Sequence, residues 1–479
     1  MTIKVEEYRK LLEARYVGFS PNTTSVKPVH LANGLFRAMS GEVSDTSDIV
    51  RFAVTQLHSG QIPKGHDLES IKDRLIEHDA IDLDVTDVEL GRLRAMIRRI
   101  LSADGALYVQ GMDSHSAMGR RFLSKDRIGQ DAGEFLAAWI KSVACDLQAC
   151  IVESLDDESD AISLLCAPVS RASTSPLLPD PPFSLSVRIE EFSADSRSLW
   201  CGMGEAATSL GKHLIDHPSK LLRARSAVLF VGFAIARYLA SLESAYVPDS
   251  KGPAPFLVIF DEQNRSILEA SRTAYQHVGQ SLARFYAWSF GQTLKDHFSL
   301  EDLSLEDPPQ YKEKTKLADQ LKEIWQVALQ SAGDSEDAYT TFGQALYDIL
   351  AMEAEASPVA YLRSLSIRLG LAGPASNAQP NKRFRLGLDL LEVLLKGAVE
   401  PGESNITLEE LLERLWVRYR IVVGGRDIDL ERLQAAGMFT ADADSLRMNR
   451  NEMLPVLTDL SVARLMADGV VEIGFGGLQ

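Results

Sequence analysis

The sequence predicts a mainly α, multi-domain protein with a small α/β element in its middle and a C-terminal winged-helix-like domain. Three observations lead there. Apolar residues recur at helical spacing over most of the chain. Convincing strand patterns are confined to short runs near 183–189, 256–260 and 470–475. Two proline- and glycine-rich stretches, Ala167 to Pro182 and Leu371 to Asn381, interrupt the periodicity as linkers or long loops would. With 479 residues, more than one hydrophobic core usually holds, the expected units are 1–166, 183–370 and 382–479.

In the first unit, Tyr8, Leu11, Leu12 and Tyr16 form the stripe of an opening helix. Asp45, Thr46 and Ser47 are placed to cap a helix through Ile49, Phe52 and Leu57. Asp84 to Asp87 introduce another through Leu90, Leu93, Met96, Ile97 and Leu101, and one amphipathic helix is predicted over roughly Asp131 to Ser154. In the second unit, Phe183, Leu185, Val187 and Ile189 alternate as in a half-buried strand. Phe256 to Phe260 is a continuous apolar run, as in a strand buried on both faces. Long helices are predicted over Leu221 to Leu242 and Ser266 to His297, then near Tyr311 to Leu329 and Asp337 to Ala354.

The third unit opens with a helix over Leu386 to Lys396. Thr407 and Glu410 make a T-x-x-E capping box before Leu408, Leu411, Leu412 and Leu415. Gly424-Gly425 stop that helix, a short one follows at Leu430 to Ala436, and a last one runs through Leu454, Leu457, Leu460 and Leu465. Val470 to Phe475 reads as an edge strand. Helices in this order with a terminal strand suit a winged helix.

Composition narrows the function. Acidic residues number 67 against 50 basic, a net charge of −17 that repels a phosphate backbone unless cations are segregated. Cys145, Cys150, Cys166 and Cys201 show no metal-ligand or disulfide spacing and read as reduced, buried thiols. The most apolar stretch, Ala227 to Ala236, lies between Arg225 and Arg237 and is shorter than the ~20 residues a bilayer needs. No membrane association is expected, and a cytoplasmic location follows.

Chemistry-bearing patterns are sparse. Phe256 to Glu262 resembles the acidic strand of a nucleotide site, but the nearest glycine-rich partner, Gly204 to His213, has the wrong spacing and no hydroxyl after Lys212. Asp261 therefore reads as the acid of a turn. His213 and His217 stand four apart without the glutamate of a zinc hydrolase, Leu214 following the first. No catalytic residue, metal site or cofactor is predicted. Arg92, Arg94, Arg98 and Arg99 flank both sides of one apolar stripe, as on a buried helix with cationic edges. In the third unit Arg426, Arg432, Arg447 and Arg450 surround the expected reading helix and wing and are the candidate partner- or nucleic-acid-binding residues. That unit still carries 12 basic against 16 acidic residues from Pro380 onward, which favours protein over DNA.

The leucine-rich helix from Leu386, the Pro401-Gly402 turn, Leu-Trp-Val-Arg-Tyr at 415–419 and Ile-Val-Val-Gly-Gly at 421–425 form one pattern, with Ser281 to Trp288 of similar character. It resembles the C-terminal segments of accessory subunits encoded in bacterial anti-phage defence gene clusters. The resemblance covers about a fifth of the chain and carries over no functional residue. It implies a non-ATPase subunit working beside an ATPase, helicase or nuclease. The expected function is a non-enzymatic subunit or adaptor of such an assembly, with a DNA-binding regulator as the alternative.

Overall fold

The computed structural model describes residues 3–44, 68–77, 84, 86–101, 119–123, 131–156, 161, 164, 172, 177–180, 188–305, 308–310, 318–332, 337–353, 356–376, 381–404, 406–466 and 471–475. The cap at 45–47 with its helix and the strand pattern at 183–187 lie outside these residues; the described end of the latter, Ile189–Glu191, is a 3₁₀ turn.

Helices dominate. The first section holds α1 (Val5–Leu12), α2 (Pro28–Ser40), α3 (Leu68–Glu77), α4 (Asp87–Leu101), α5 (Ala132–Val143) and α6 (Cys145–Asp156). A short antiparallel ladder joins β1 (Glu42–Ser44) to β2 (Leu177–Pro179). The one helix predicted over 131–154 is two, because Ala144 leaves helical geometry at φ −141°, ψ 71°. The break is stabilised from outside: the freed carbonyl of Val143 accepts the Thr208 hydroxyl at 2.9 Å. Helix α4 opens on a capping box not among the expected caps: Glu89 N donates to Thr86 Oγ1 and Thr86 N to Glu89 Oε2. In α4, Leu90 is buried and Leu93 partly so, whereas Met96, expected on the buried stripe, is exposed.

Next come α7 (Ala194–Ile215), α8 (Lys220–Tyr246), β3 (Phe256–Ile259), α9 (Arg265–His297), α10 (Leu300–Leu305), α11 (Ala318–Ser331), α12 (Asp337–Ala351) and α13 (Pro358–Arg368). The last section contains β4 (Ala372–Gly373), β5 (Arg383–Arg385), α14 (Leu388–Ala398), β6 (Ile406–Thr407), α15 (Leu408–Tyr419), β7 (Ile421–Val422), α16 (Asp427–Ala435), α17 (Ala443–Asp459), β8 (Ala463–Leu465) and β9 (Val471–Ile473). Leu465, predicted as a helix position, lies in β8, because α17 ends at Asp459 after starting well before Leu454.

Helix α8 is the hub. Of the described helices it is the one long and apolar enough to cross a membrane, yet 89% of its apolar window is buried inside the protein. Tyr238 alone packs against Phe135 at 5.0 Å, Trp200 at 5.7 Å and Phe19 at 6.4 Å between ring centroids. Elsewhere helices cross at glycine: a Cβ on Gly343 of α12 would lie 2.1 Å from the Ala287 carbonyl of α9, so that crossing excludes any larger residue. Core residues from all three sections form one contiguous cluster.

The main sheet has the order β4-β5-β3-β7, with β3 parallel to both β5 and β7 and β4 antiparallel to β5. Strand β3 is buried along its whole length, as its unbroken apolar run requires. At its C-terminal end, backbone donors and acceptors would face the interior. Asn449 of α17, itself fully buried, meets four of them. Its Oδ1 accepts from Phe260 N at 2.6 Å and Asp261 N at 3.0 Å, while Nδ2 donates to the carbonyls of Val258 and Val423 at 2.8 Å each. Asn449→Ala orphans all four groups, so a loss of at least about 3 kcal/mol in chemical denaturation is expected. A loss below 1 kcal/mol would show that the sheet end does not depend on this amide.

Near the N-terminus, α1 runs into a π-helical turn, Glu13–Val17. Glu13 is buried, and its nearest cation, Arg9, stands 3.9 Å away while engaging Glu6 at 2.9 Å. Burial pushes the Glu13 carboxyl up to about 7 from 4.5, against the opposing pull of Arg9. The folded chain therefore binds this proton more tightly than the unfolded chain. Stability should fall as pH rises from about 4.5 to about 7, by roughly 3 kcal/mol for this group. Denaturant melts across that range should flatten in Glu13→Gln, and an unchanged slope would exclude Glu13 as the source.

Candidate functional site

The C-terminal arginines are positioned by α15, α16 and α17. Helix α15 begins with the expected capping box: Glu410 N donates to Thr407 Oγ1 at 3.1 Å and Thr407 N to Glu410 Oε2 at 2.7 Å. It ends at Arg420, whose φ of 53° is left-handed, and β7 follows. Gly424 and Gly425, at φ 103° and 97°, then turn the chain tightly over α17. A Cβ at Gly425 would meet the Arg450 side chain at 2.7 Å.

This turn brings cations and acids together. Asp429, almost wholly buried, accepts Arg426 Nη2 at 2.6 Å and Nε at 3.1 Å. Glu413 accepts Arg426 Nη1 at 2.8 Å and Arg432 Nη2 at 2.9 Å. Arg432 also stands 3.6 Å from Asp429, closing a ring of two arginines and two acids. The Arg432 bond holds the Glu413 carboxyl below its ordinary range, with Arg426 adding to the effect. The Arg432 guanidinium lies 4.5 Å from the Trp416 ring centroid and that of Arg420 lies 4.8 Å from it.

Of the four arginines singled out from sequence, Arg426 and Arg432 belong to this ring. Arg450 pairs with Glu409 at 3.3 Å and is about three-quarters buried. Arg447 is the outward one, 60% exposed and 3.2 Å from Asp444. The four are not gathered on one outward face. Arg414 is likewise held, donating to Glu403 at 2.6 and 2.7 Å, which pulls the Glu403 carboxyl down to about 2.

Asp261 sits in a turn: its Oδ1 accepts from the backbone N–H of Gln263 and Asn264 at 3.0 and 3.1 Å. Gly204 and Gly211 lie inside α7, where Gly211 lets the backbone of Leu147 approach. His213 bonds the Val399 carbonyl at 2.8 Å, while His217 Nδ1 accepts from Ser219 N at 3.1 Å, so the two imidazoles serve different partners. No cluster of three or more His, Cys, Asp or Glu suited to a metal occurs among the described residues. The cysteine expectation needs correction: Cys150 is buried, but Cys145 and Cys201 are exposed because they fall on the outer sides of α6 and α7. Cys166 lies outside the described residues.

Arg237, which bounds the apolar run Ala227 to Ala236 in sequence, is fully buried in mid-helix. Its Nη2 donates to Ala254 O at 2.6 Å, and its guanidinium lies 4.1 Å from the Phe256 ring centroid. Burial lowers its pKa to about 9, and the charge of Arg420 adds to the shift. Its helical spacing to buried Phe233 and Ser241 was the available signal. A second buried cation, Arg37, donates to Asp180 at 2.6 Å and to Glu134, tying α2 to α5 and to the end of β2.

Compared with protein-family models, curated proteins and solved structures, the chain matches none. Arg426→Ala leaves the buried Asp429 with only the backbone N–H of residue 426 at 3.3 Å and the Arg432 contact at 3.6 Å, and a loss of about 3 kcal/mol is expected. Arg447→Ala should change stability by less than about 0.5 kcal/mol. Equal, small effects in thermal melts would mean that the ring is solvated rather than structural.

Proposed function

We propose that this protein is a non-enzymatic subunit or adaptor that docks a protein partner through its C-terminal section. The observation that carries the reading is a division of roles among its side chains. Most of the candidate arginines are spent on internal acids, whereas Phe439, Leu465 and Met448 stand outward at 74%, 70% and 53% exposure. Large apolar side chains left in solvent suit a protein interface better than a phosphate backbone.

We read this section as winged-helix-like. Helix α14, strand β6, helices α15 and α17 and strands β8 and β9 follow in that order, and the three strands form an antiparallel sheet ordered β6-β9-β8. Strand β7 and helix α16 are extra to that pattern. Helix α17 would occupy the reading position, but its exposed residues include Asp444, Glu452 and Asp459 beside the single cation Arg447. Such a face suits a protein partner rather than DNA. The resemblance of 386–425 to accessory subunits of anti-phage defence clusters makes an ATPase, helicase or nuclease subunit our choice of partner class.

The exposed Arg447 is the observation that favours the regulator alternative. A photo-crosslinking residue at position 439, in the native host, should capture one dominant protein, and the purified chain should bind duplex DNA weakly near 150 mM salt. Tight duplex binding whose salt dependence weakens in Arg447→Ala, with no protein captured, would replace the adaptor with the regulator.

A further inference from the structure

Helices α11 and α12 are joined by only five residues, so they run antiparallel as a hairpin. Their inner faces meet through Trp325 and Phe342, whose ring centroids are 4.9 Å apart. Between their outer faces lies an open groove of about 550 Å³. Ile324, Val327, Ala328 and Ala345 line its apolar part, and Val327 is left 56% exposed.

The groove is electrically lopsided. Antiparallel packing sets the start of α11 beside the end of α12, so Glu323 and Asp348 line the same end. Ser331 and Thr340 line the other. Neither acid has a cation partner among the described residues; Asp348 accepts only the Gln344 amide, at 2.8 Å. Lys322, next in sequence to Glu323, is exposed but does not line the groove. Residues 323 to 331 span about 12 Å of helix, so the groove offers two to three turns of contact.

We propose that the groove between α11 and α12 seats an amphipathic helix of a partner protein, with aliphatic anchors at i, i+4 and i+7 and Lys or Arg at the end lying over Glu323 and Asp348. This rests on the adaptor reading and adds a second contact, remote in sequence from Phe439. The apolar lining supplies the contact area, and the two unpaired carboxylates select the charge and direction of the incoming helix.

The test uses the full chain and two fluorescein-labelled, alanine-based helical peptides of about 16 residues. Both carry Leu at i, i+4 and i+7; one ends in two lysines and the other in two glutamates. Anisotropy should show the lysine peptide binding at least ten-fold more tightly at low salt, with the gap closing near 0.5 M salt as screening sets in. Val327→Glu, at an exposed position, should weaken binding at least ten-fold while leaving the thermal melt unchanged. Glu323→Lys combined with Asp348→Lys should reverse the peptide preference. Absence of binding below millimolar peptide, or equal binding of both peptides that Val327→Glu does not alter, would overturn the proposal. Self-association of the chain that Val327→Glu abolishes would instead assign the groove to a second copy. A failed groove alongside successful crosslinking at position 439 leaves the adaptor reading standing, so the two failures are distinguishable.

Discussion

Strand β3 has no route to water, and the rest of the structure is arranged around satisfying its backbone. An apolar run can be buried on both faces only if every N–H and C=O finds a partner inside the protein. Here β5 and β7 supply the ladders, both from chain more than a hundred residues further on. Where the ladders stop, Asn449 supplies two acceptor contacts and two donor contacts from one amide. The C-terminal end of a parallel strand is where α/β folds commonly leave a crevice for ligand. In this chain a helix fills it.

The same economy explains the arginines. Docking α17 against the sheet brings α15 and α16 close, and the acids on those helices would repel one another if unpaired. Arg426 and Arg432 neutralise Asp429 and Glu413, and Arg450 meets Glu409. Cations that flank a helix-turn-helix in sequence can thus be consumed by local acids before any ligand arrives. Arg237 follows a different logic. With no carboxylate beside it among the described residues, its charge rests on one carbonyl and the face of Phe256.

Features governed by neighbours within a few residues were legible. The capping box at Thr407 and Glu410, the span of α9 and the buried character of Phe256 to Ile259 all follow from local hydrogen bonding and periodicity. The break at Ala144 was not legible, because the hydroxyl that donates to the freed Val143 carbonyl belongs to Thr208 on another helix. Nor was Asn449 conspicuous: an asparagine among polar helix residues looks solvent-facing until the strand end it serves is in place.

By itself, then, the sequence determined the helical class, most helix positions, the Thr407–Glu410 cap and the burial of the central strand, since those depend on short-range sterics and on apolar area. Tertiary structure alone decided which strands β3 pairs with, which arginines turn inward and which carboxylates along the groove between α11 and α12 have no cation partner among the described residues. Each of those outcomes depends on which charged and hydrogen-bonding groups arrive from distant parts of the chain. No local pattern encodes that arrival.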